Sequence, residues 1–283
     1  MREEAWRRSK RIEDEFLSSL NYLVGLFNRI AYSVGEDHKE YVRKMDEFQN
    51  SYQFDKFLAS SVRRMVTPLA MANFSTWRKA AQEQTKNPLI YRSLIGEINE
   101  GLKQDIESQV LSNAMLIKTL PSDTAKKVVE DIEEYTLRGE RATTIAQIIR
   151  EKTDQHARAS ARLIARTEVS KTTTALTRAR SENLGLRWYI WRTAQDGDRV
   201  RKSHRNMEGV LVNWNNPPSP ERLVGEKDVG NYHAGEIWNC RCYPEPLISA
   251  DELKFPVKVY INGKIERMGK QKFYELIGGS PKI

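Results

Sequence analysis

Apolar residues in the first half of the chain recur every three or four positions, which is the spacing of amphipathic helices. Phe16, Leu20, Leu23, Phe27 and Ile30 predict a first helix, and Gly35 is expected to end it. Further helices are predicted over residues 36–65, from Thr67-Pro68, over 87–111, from Pro121 to Gly139, from Thr143 or Thr144 to Ile149, and from Asp154 to about Leu184.

The pattern changes at Gly185, after which residues that break helices accumulate. Five Gly and three Pro precede this point, whereas ten Gly and seven Pro lie from it onward. Residues 186–193 are aromatic-rich and alternating, and residues 209–212 are apolar, so both are predicted strands. Residues 215–220 (NNPPSP) are expected to be irregular.

A β-hairpin is predicted near the end of the chain. Residues 257–261 and 264–267 flank Asn262-Gly263, the dipeptide that signals a tight hairpin turn most strongly. The sequence therefore predicts an α+β fold, in which an N-terminal helical region is followed by a smaller mixed α/β domain with short strands and a C-terminal β-hairpin.

Composition narrows the class of protein. Hydrophobic residues make up 39% of the chain and charged residues 30%, which is enough for a sizeable core in a polar globular protein. No apolar run approaches the roughly 20 residues of a membrane-spanning helix. The first 15 residues mix acidic and basic side chains, unlike a signal peptide, and two cysteines do not make a disulfide scaffold. We therefore expect neither a secreted, a membrane-spanning nor a fibrous protein.

Positive charge is concentrated in one fifth of the chain. Residues 150–205 contain 14 Lys/Arg and 6 Asp/Glu, a net +8, and the remainder contains 32 of each sign. Localised positive charge favours contact with nucleic acid. The alternative is a solvated helix face that acidic neighbours neutralise. The candidate DNA-binding residues are Arg158, Arg162, Arg166, Lys171, Arg178, Arg180, Arg199, Arg201 and Lys202, of which the first three are four residues apart on one predicted helix face.

Both cysteines lie in one tripeptide, Cys240-Arg241-Cys242, with His233 and His204 upstream. Thiolates and imidazoles are the ligands of tetrahedral zinc, and residues two apart on an extended segment point to the same side. The sequence thus predicts one structural zinc ion held by Cys240, Cys242, His233 and His204. Two simple buried thiols, or a strained disulfide between the cysteines, are the alternatives.

Asp196 and Asp198 precede His204 closely, and carboxylates with histidine near a metal can support phosphodiester hydrolysis. The same letters also describe an Asp-Gly turn followed by the start of a polar helix. A nuclease that uses these three residues and His233 is therefore a second hypothesis. No P-loop motif is present.

Several of these residues combine into a known pattern. It consists of Arg166-Thr167-Glu168, a Trp-bearing strand, Asp198-Arg199-Val200-Arg201 with His204 and Gly209, His233-Ala234-Gly235-Glu236, and Asn239-Cys240-Arg241-Cys242 with Pro244 and Pro246. Over about residues 160–247 the chain resembles the minor head proteins of tailed phages, the head-morphogenesis family similar to protein F of phage Mu. Ala234 stands where this family leads us to expect proline.

We expect three parts, which are a helical region at residues 1–150, the head-morphogenesis domain at 151–250, and a hairpin and tail at 251–283. One hypothesis for residues 1–150 is a self-sufficient bundle with no binding role, whereas the resemblance implies that they dock on the portal. It further implies a low-copy virion protein of the phage head interior near the portal, present in the host cytoplasm during assembly. Its expected partners are the portal protein, double-stranded DNA and capsid or scaffold proteins, without a membrane.

The function that the resemblance implies is head assembly together with contact with, or delivery of, the packaged DNA. It carries over no catalytic residues, so we predict a protein that is not an enzyme. The alternative is the metal-dependent nuclease, acting on phage or host DNA.

Overall fold

The computed structural model describes residues 6–84, 117–137, 142–250 and 253–278, together with residues 108 and 115. The chain forms two compact units. One comprises Met1–Ser9, Leu69–Glu107 and Val169–Ile283, and the other comprises Lys10–Pro68 and Ser108–Glu168. The predicted domain boundaries at residues 150 and 250 stay a prediction.

The second of these units is helical. It contains α1 (Lys10–Val34), α2 (His38–Gln49), the first part of α3 (Tyr52–Gln84), α4 (Leu120–Leu137) and the first part of α5 (Ala142–Asn183). The helix predicted before Gly35 is confirmed as α1, whose apolar stripe is buried from Phe16 to Phe27. A buried polar contact adds to this core, because the Tyr41 hydroxyl lies 2.8 Å from the Thr153 hydroxyl.

The prediction of a single helix over residues 36–65 was wrong, because α2 and α3 are separate helices. Ser51 lies between them, and its side-chain oxygen accepts a hydrogen bond from the Phe54 amide at 3.2 Å, which caps the new helix. The predicted helix start at Thr67-Pro68 was also wrong, since Pro68 lies inside α3. The helix predicted over residues 87–111 lies outside the described residues.

The two predicted helices that flank Asp154 are one continuous helix, α5. Asp154 suggested a new helix start, but its carboxylate does not cap one. It accepts hydrogen bonds from Asn28 and from Arg158, both at 2.7 Å, while the Thr153 hydroxyl donates to the Ile149 carbonyl within the helix. With no glycine or proline between its ends, α5 has no residue that would break it.

The other unit contains a five-stranded sheet. Its strands are β1 (Trp188–Arg192), β2 (Val210–Asn213), β3 (Tyr243–Pro246), β4 (Val257–Ile261) and β5 (Lys264–Met268), in the order β3-β1-β2-β4-β5. All neighbours are antiparallel except β2 and β4, which are parallel. The predicted strands and hairpin are thus confirmed, as is the α+β class.

Strand β3 was not predicted, because its sequence YPEP carries two prolines. Proline lacks the amide hydrogen of an interior strand, but it is tolerated at an edge. Among the described strands, β3 lies at the edge of the sheet and pairs with β1 alone, where Trp191 is opposite Pro244.

The two faces of the sheet bury different clusters, because neighbouring strand residues point to opposite sides. On one face Leu211 and Val259 pack with Phe273 of the short helix α7 (Lys270–Leu276). On the other, Tyr189 and Trp191 pack with the loops that carry both cysteines. Among the described helices, none is long and apolar enough to cross a membrane.

Candidate metal centre and basic residues

Strand β1 is the platform of the candidate site. Tyr189 and Trp191 are two residues apart and point to the same face. The ring of His204, on the short helix α6 (Lys202–Asn206), lies edge-on to Trp191 at 5.6 Å between centroids. The ring of His233 lies edge-on to Tyr189 at the same separation. The sheet therefore places the two predicted histidines side by side over alternate residues.

His204 meets both cysteines. Its Nδ1 atom lies 3.5 Å from Cys240 Sγ and 3.4 Å from Cys242 Sγ. The three candidate ligand atoms are within 4.8 Å of one another, and all three residues are buried. For a tetrahedral zinc ion with ordinary bond lengths, neighbouring nitrogen and sulfur ligands would be about 3.6 Å apart. The three side chains thus fit a single metal ion.

A hydrogen-bond chain holds the other side of the His204 ring. The Tyr232 hydroxyl donates to the Glu221 carboxylate, with both oxygens at 2.7 Å, and lies 2.9 Å from His204 Nε2. Because this hydroxyl gives its one proton to Glu221, it accepts the proton of Nε2–H. With this proton on Nε2, the lone pair of Nδ1 faces the sulfurs, as it must in a metal ligand.

The two thiols are free and share a hydrogen bond. This bond from Cys242 holds the pKa of Cys240 well below its ordinary value. The same bond, together with burial, raises the pKa of Cys242. One thiolate is thus stabilised within the pair, which is the form that binds metal. The disulfide alternative is not realised in this structure.

The loop before the cysteines is docked on α5 by a close backbone approach. Thr174 donates a hydrogen bond of 2.7 Å to the Ala234 carbonyl. Gly235 follows with φ +91°, and a Cβ atom there would lie 2.5 Å from Thr174 Oγ1 and 3.0 Å from the Cys242 carbonyl. Only glycine fits this position without a shift, so its presence fixes the loop relative to Cys242.

His233 lies outside the group formed by His204 and the cysteines. Its Nδ1 is 3.1 Å from the Tyr189 hydroxyl, and its amide donates to Glu236 Oε2 at 2.6 Å. Burial lowers the pKa of His233 to about 4, so the ring is neutral near pH 7. Of the four predicted ligands, the structure brings together His204, Cys240 and Cys242.

The four residues of the nuclease hypothesis do not form one group of metal ligands. Asp196 forms an ion pair with Arg241, and Asp198 is fully exposed, 3.8 Å from Arg205. Asp198 and its neighbours form a turn of 3-10 helix before α6, as the simpler interpretation of this segment predicts. Within the described part of the chain, the one group of three or more potential metal ligands contains no carboxylate.

The predicted DNA-binding residues differ in exposure. Five are exposed (Arg158, Arg162, Arg199, Arg201 and Lys202), and three are half-buried (Arg166, Lys171 and Arg178). Arg180 is 2% exposed and was wrongly included. Its guanidinium binds the Asn73 side chain and the Ala70 carbonyl, so it is part of the core and cannot reach a phosphate.

Some of the basic residues are neutralised locally, as the alternative interpretation proposed. Arg158 pairs with Asp154 at 2.7 Å, and Arg178 pairs with Glu182 at 2.8 Å. By contrast, no carboxylate of the described residues lies within 4.0 Å of a nitrogen of Arg162, Arg199 or Lys202. These three side chains are the strongest candidates for contact with an anion.

Sequence reasoning missed Tyr232 and Glu221, which orient His204. They lie 28 and 17 positions from His204 along the chain, in a loop with no regular pattern. The only available signal was chemical, since a tyrosine directly before a candidate ligand can act as a hydrogen-bond partner.

Comparisons with known proteins extend these observations. A protein of Haemophilus influenzae (strain ATCC 51907 / DSM 11121 / KW20 / Rd), described only as "Uncharacterized protein", is 31% identical to this chain over 153 residues. The similar region covers 53% of this chain and 31% of that protein, so the chain spans about a third of the length of the curated relative it matches. No solved structure matches.

The family described as "Phage Mu protein F like protein" matches residues 126–244. The match includes β1, α6, β2 and all three residues of the His204 group, and it begins within α4, earlier than the sequence motifs indicated. For residues 126–244 the resemblance is therefore confirmed: this part of the chain is similar to the family described as "Phage Mu protein F like protein".

Proposed function

We propose that this chain is a minor head protein of a tailed phage, associated with the portal vertex and with the packaged DNA. The match of residues 126–244 to the Phage Mu protein F family is the observation that carries the proposal. The family supports association with the virion and a role in assembly. Contact with the portal, with DNA and with capsid or scaffold proteins is the finer part of the proposal.

The DNA part rests on the position of the charge. The whole excess of +8 lies in residues 150–205. Within that segment Arg162, Arg199 and Lys202 are exposed and have no carboxylate of the described residues within ion-pair distance. Such side chains can contact phosphates without first breaking an internal ion pair, whereas Arg158 and Arg178 would have to exchange partners.

The experiment is a titration of the full chain with two duplex DNAs of unrelated sequence, followed by fluorescence anisotropy. Binding should be equal for both sequences and should weaken steeply between about 50 and 200 mM salt, because counterions are released on binding. Arg162→Glu should weaken binding to both duplexes alike and reduce the salt slope by about 1.

Arg63→Glu is the matched control, because Arg63 is also an exposed arginine on a helix of the same unit but lies outside the basic segment. It makes the same change in net charge and should leave affinity nearly unaltered. Equal losses for the two variants, or an affinity that does not respond to salt, would refute DNA contact by this segment.

We also propose that His204, Cys240 and Cys242 hold one structural zinc ion. The support is the fit of three buried ligand atoms within 4.8 Å, with His204 oriented from behind by Tyr232. A zinc ion at this position would tie α6 to the loop that precedes β3, in a unit with long irregular segments.

Elemental analysis of protein purified without added metal tests this proposal. About one zinc per chain is expected, and His204→Ala should lose it while His38→Ala, a change of a histidine outside the group, should retain it. Chelation should also lower the melting temperature. Substoichiometric zinc, together with unchanged melting after chelation, would show that the pair is simply two buried thiols.

A further inference from the structure

The candidate metal centre is one ligand short of a closed tetrahedral site. Most structural zinc sites have four protein ligands, whereas a site with three protein ligands leaves its fourth position to water or an external ligand. Here His204, Cys240 and Cys242 form the group, and the described part of the chain adds no fourth histidine, cysteine or carboxylate to it. His233, the expected fourth ligand, is instead bonded to Tyr189.

The three candidate ligands border a recess that opens to the surface. His204, Cys240 and Cys242 also line a recess of about 50 Å³, whose wall includes Arg199 and Arg201. This volume is large enough for a few water molecules or for one oxyanion. The three ligands are buried, but an external group can therefore approach them from one direction.

The charges around the recess favour an anion. Two thiolates would neutralise a divalent metal, and the one carboxylate of the wall, Asp196, is paired with Arg241. Arg201 donates to the Trp238 carbonyl at 2.7 Å and keeps its charge. Arg199 is exposed, without a carboxylate of the described residues in ion-pair distance. The recess is thus positive overall, with guanidinium groups that suit oxyanions.

Taking the proposed zinc site as its basis, we propose that the metal at His204, Cys240 and Cys242 is an open centre that binds an external phosphate oxygen. Arg199 and Arg201 hold the rest of the phosphate in the recess. The phosphate can come from two sources, free inorganic phosphate or the backbone of DNA. Binding replaces a water molecule on the metal and involves no covalent change in the phosphate.

The test uses the full chain loaded with one equivalent of Co²⁺, whose visible spectrum reports its ligands. A thiolate charge-transfer band should appear on loading. Inorganic phosphate should then shift the weaker visible bands of the metal in a saturable way and leave the thiolate band in place. A short duplex DNA is added in a parallel titration. A shift with inorganic phosphate alone identifies free phosphate as the source, whereas a shift with both shows that the DNA backbone also binds.

Arg199→Ala and Arg187→Ala are the matched variants, since both arginines are exposed in the same unit but only Arg199 lines the recess. Arg199→Ala should raise the phosphate concentration at half-shift by about tenfold, as expected for loss of a charge-assisted hydrogen bond. Arg187→Ala should not change it. If the thiolate band appears but the weaker visible bands respond to neither inorganic phosphate nor DNA, the open centre is refuted and the zinc site still stands. Failure of the thiolate band to appear overturns both, and equal effects of the two variants overturn the role of Arg199.

Discussion

Both nitrogen atoms of the His204 imidazole have close partners, so the orientation of the ring depends on single atoms of its neighbours. Nδ1 faces the two sulfurs, while Nε2 is bonded to the hydroxyl of Tyr232. Tyr232 is itself oriented by Glu221, which also accepts a hydrogen bond of 3.1 Å from Ser203. The His204 ring is therefore held in place by a network of buried polar side chains.

Tyr232→Phe should weaken zinc binding by about 10- to 100-fold, the range found when partners of metal-bound histidines are removed. The phenylalanine keeps the ring packing but leaves Nε2–H without its acceptor. Competition with a chromogenic chelator measures the affinity.

Tyr260→Phe is the control, because Tyr260 is buried in the same cluster and its hydroxyl takes no part in the network behind His204. If the two variants bind zinc equally well, the hydrogen bond of Tyr232 does not position the ligand.

The sequence predicted which residue types could bind a metal better than it predicted which of these residues lie together. His204, Cys240 and Cys242 were identified because few side chains bind zinc, and their number in this chain is small. Whether His204 or His233 lies beside the cysteines depends on which residue of β1 each ring packs against, Trp191 or Tyr189. That choice is made by tertiary packing and leaves no trace in local sequence.

At the scale of elements, the loop from His233 to Glu236 is positioned by its approach to α5. Gly235 has a positive φ and has the side chains of Thr174 and Ser170 and the Cys242 carbonyl within 3.0 Å of the place of a Cβ. Since Thr174 is buried, it cannot move aside cheaply. The same contact lies next to the candidate metal ligand Cys242.

Gly235→Ala should therefore lower the free energy of unfolding by roughly 2–4 kcal/mol, from backbone strain and from the overlap with Thr174. Urea denaturation of the full chain measures the change. Gly225→Ala is the control, because Gly225 also has a positive φ, +73°, but has nothing within 4 Å of the added Cβ. It should cost only the strain, about 1 kcal/mol. Equal costs would mean that the loop does not pack on α5 this closely.

The sequence predicted the types of most elements, but it did not predict where several helices begin and end. Helical spacing identified α1, and Asn262-Gly263 identified the hairpin of β4 and β5, because both signals are local. The helix start expected at Pro68 and the break expected at Asp154 were wrong, since neither residue acts as a cap there. β3 escaped prediction because its prolines are acceptable only at the sheet edge, a property of the assembled sheet.

Across the whole molecule, the sequence predicted where positive charge is concentrated. It did not predict which of these charged side chains are exposed. The excess of +8 in residues 150–205 includes Arg180, which is buried, and Arg158, which is paired with Asp154. The exposed cations that remain lie in both compact units. DNA contact is therefore expected to involve fewer side chains than the count of basic residues suggests.

The proposed function makes this chain a minor component of the phage head at the portal. Quantitative mass spectrometry of purified particles, combined with chemical cross-linking, is the sharpest test. We expect the chain at low copy relative to the major capsid protein and cross-linked to the portal protein. Particles that contain portal and capsid proteins but lack this chain, or that carry it at the copy number of the capsid protein, would contradict the claim.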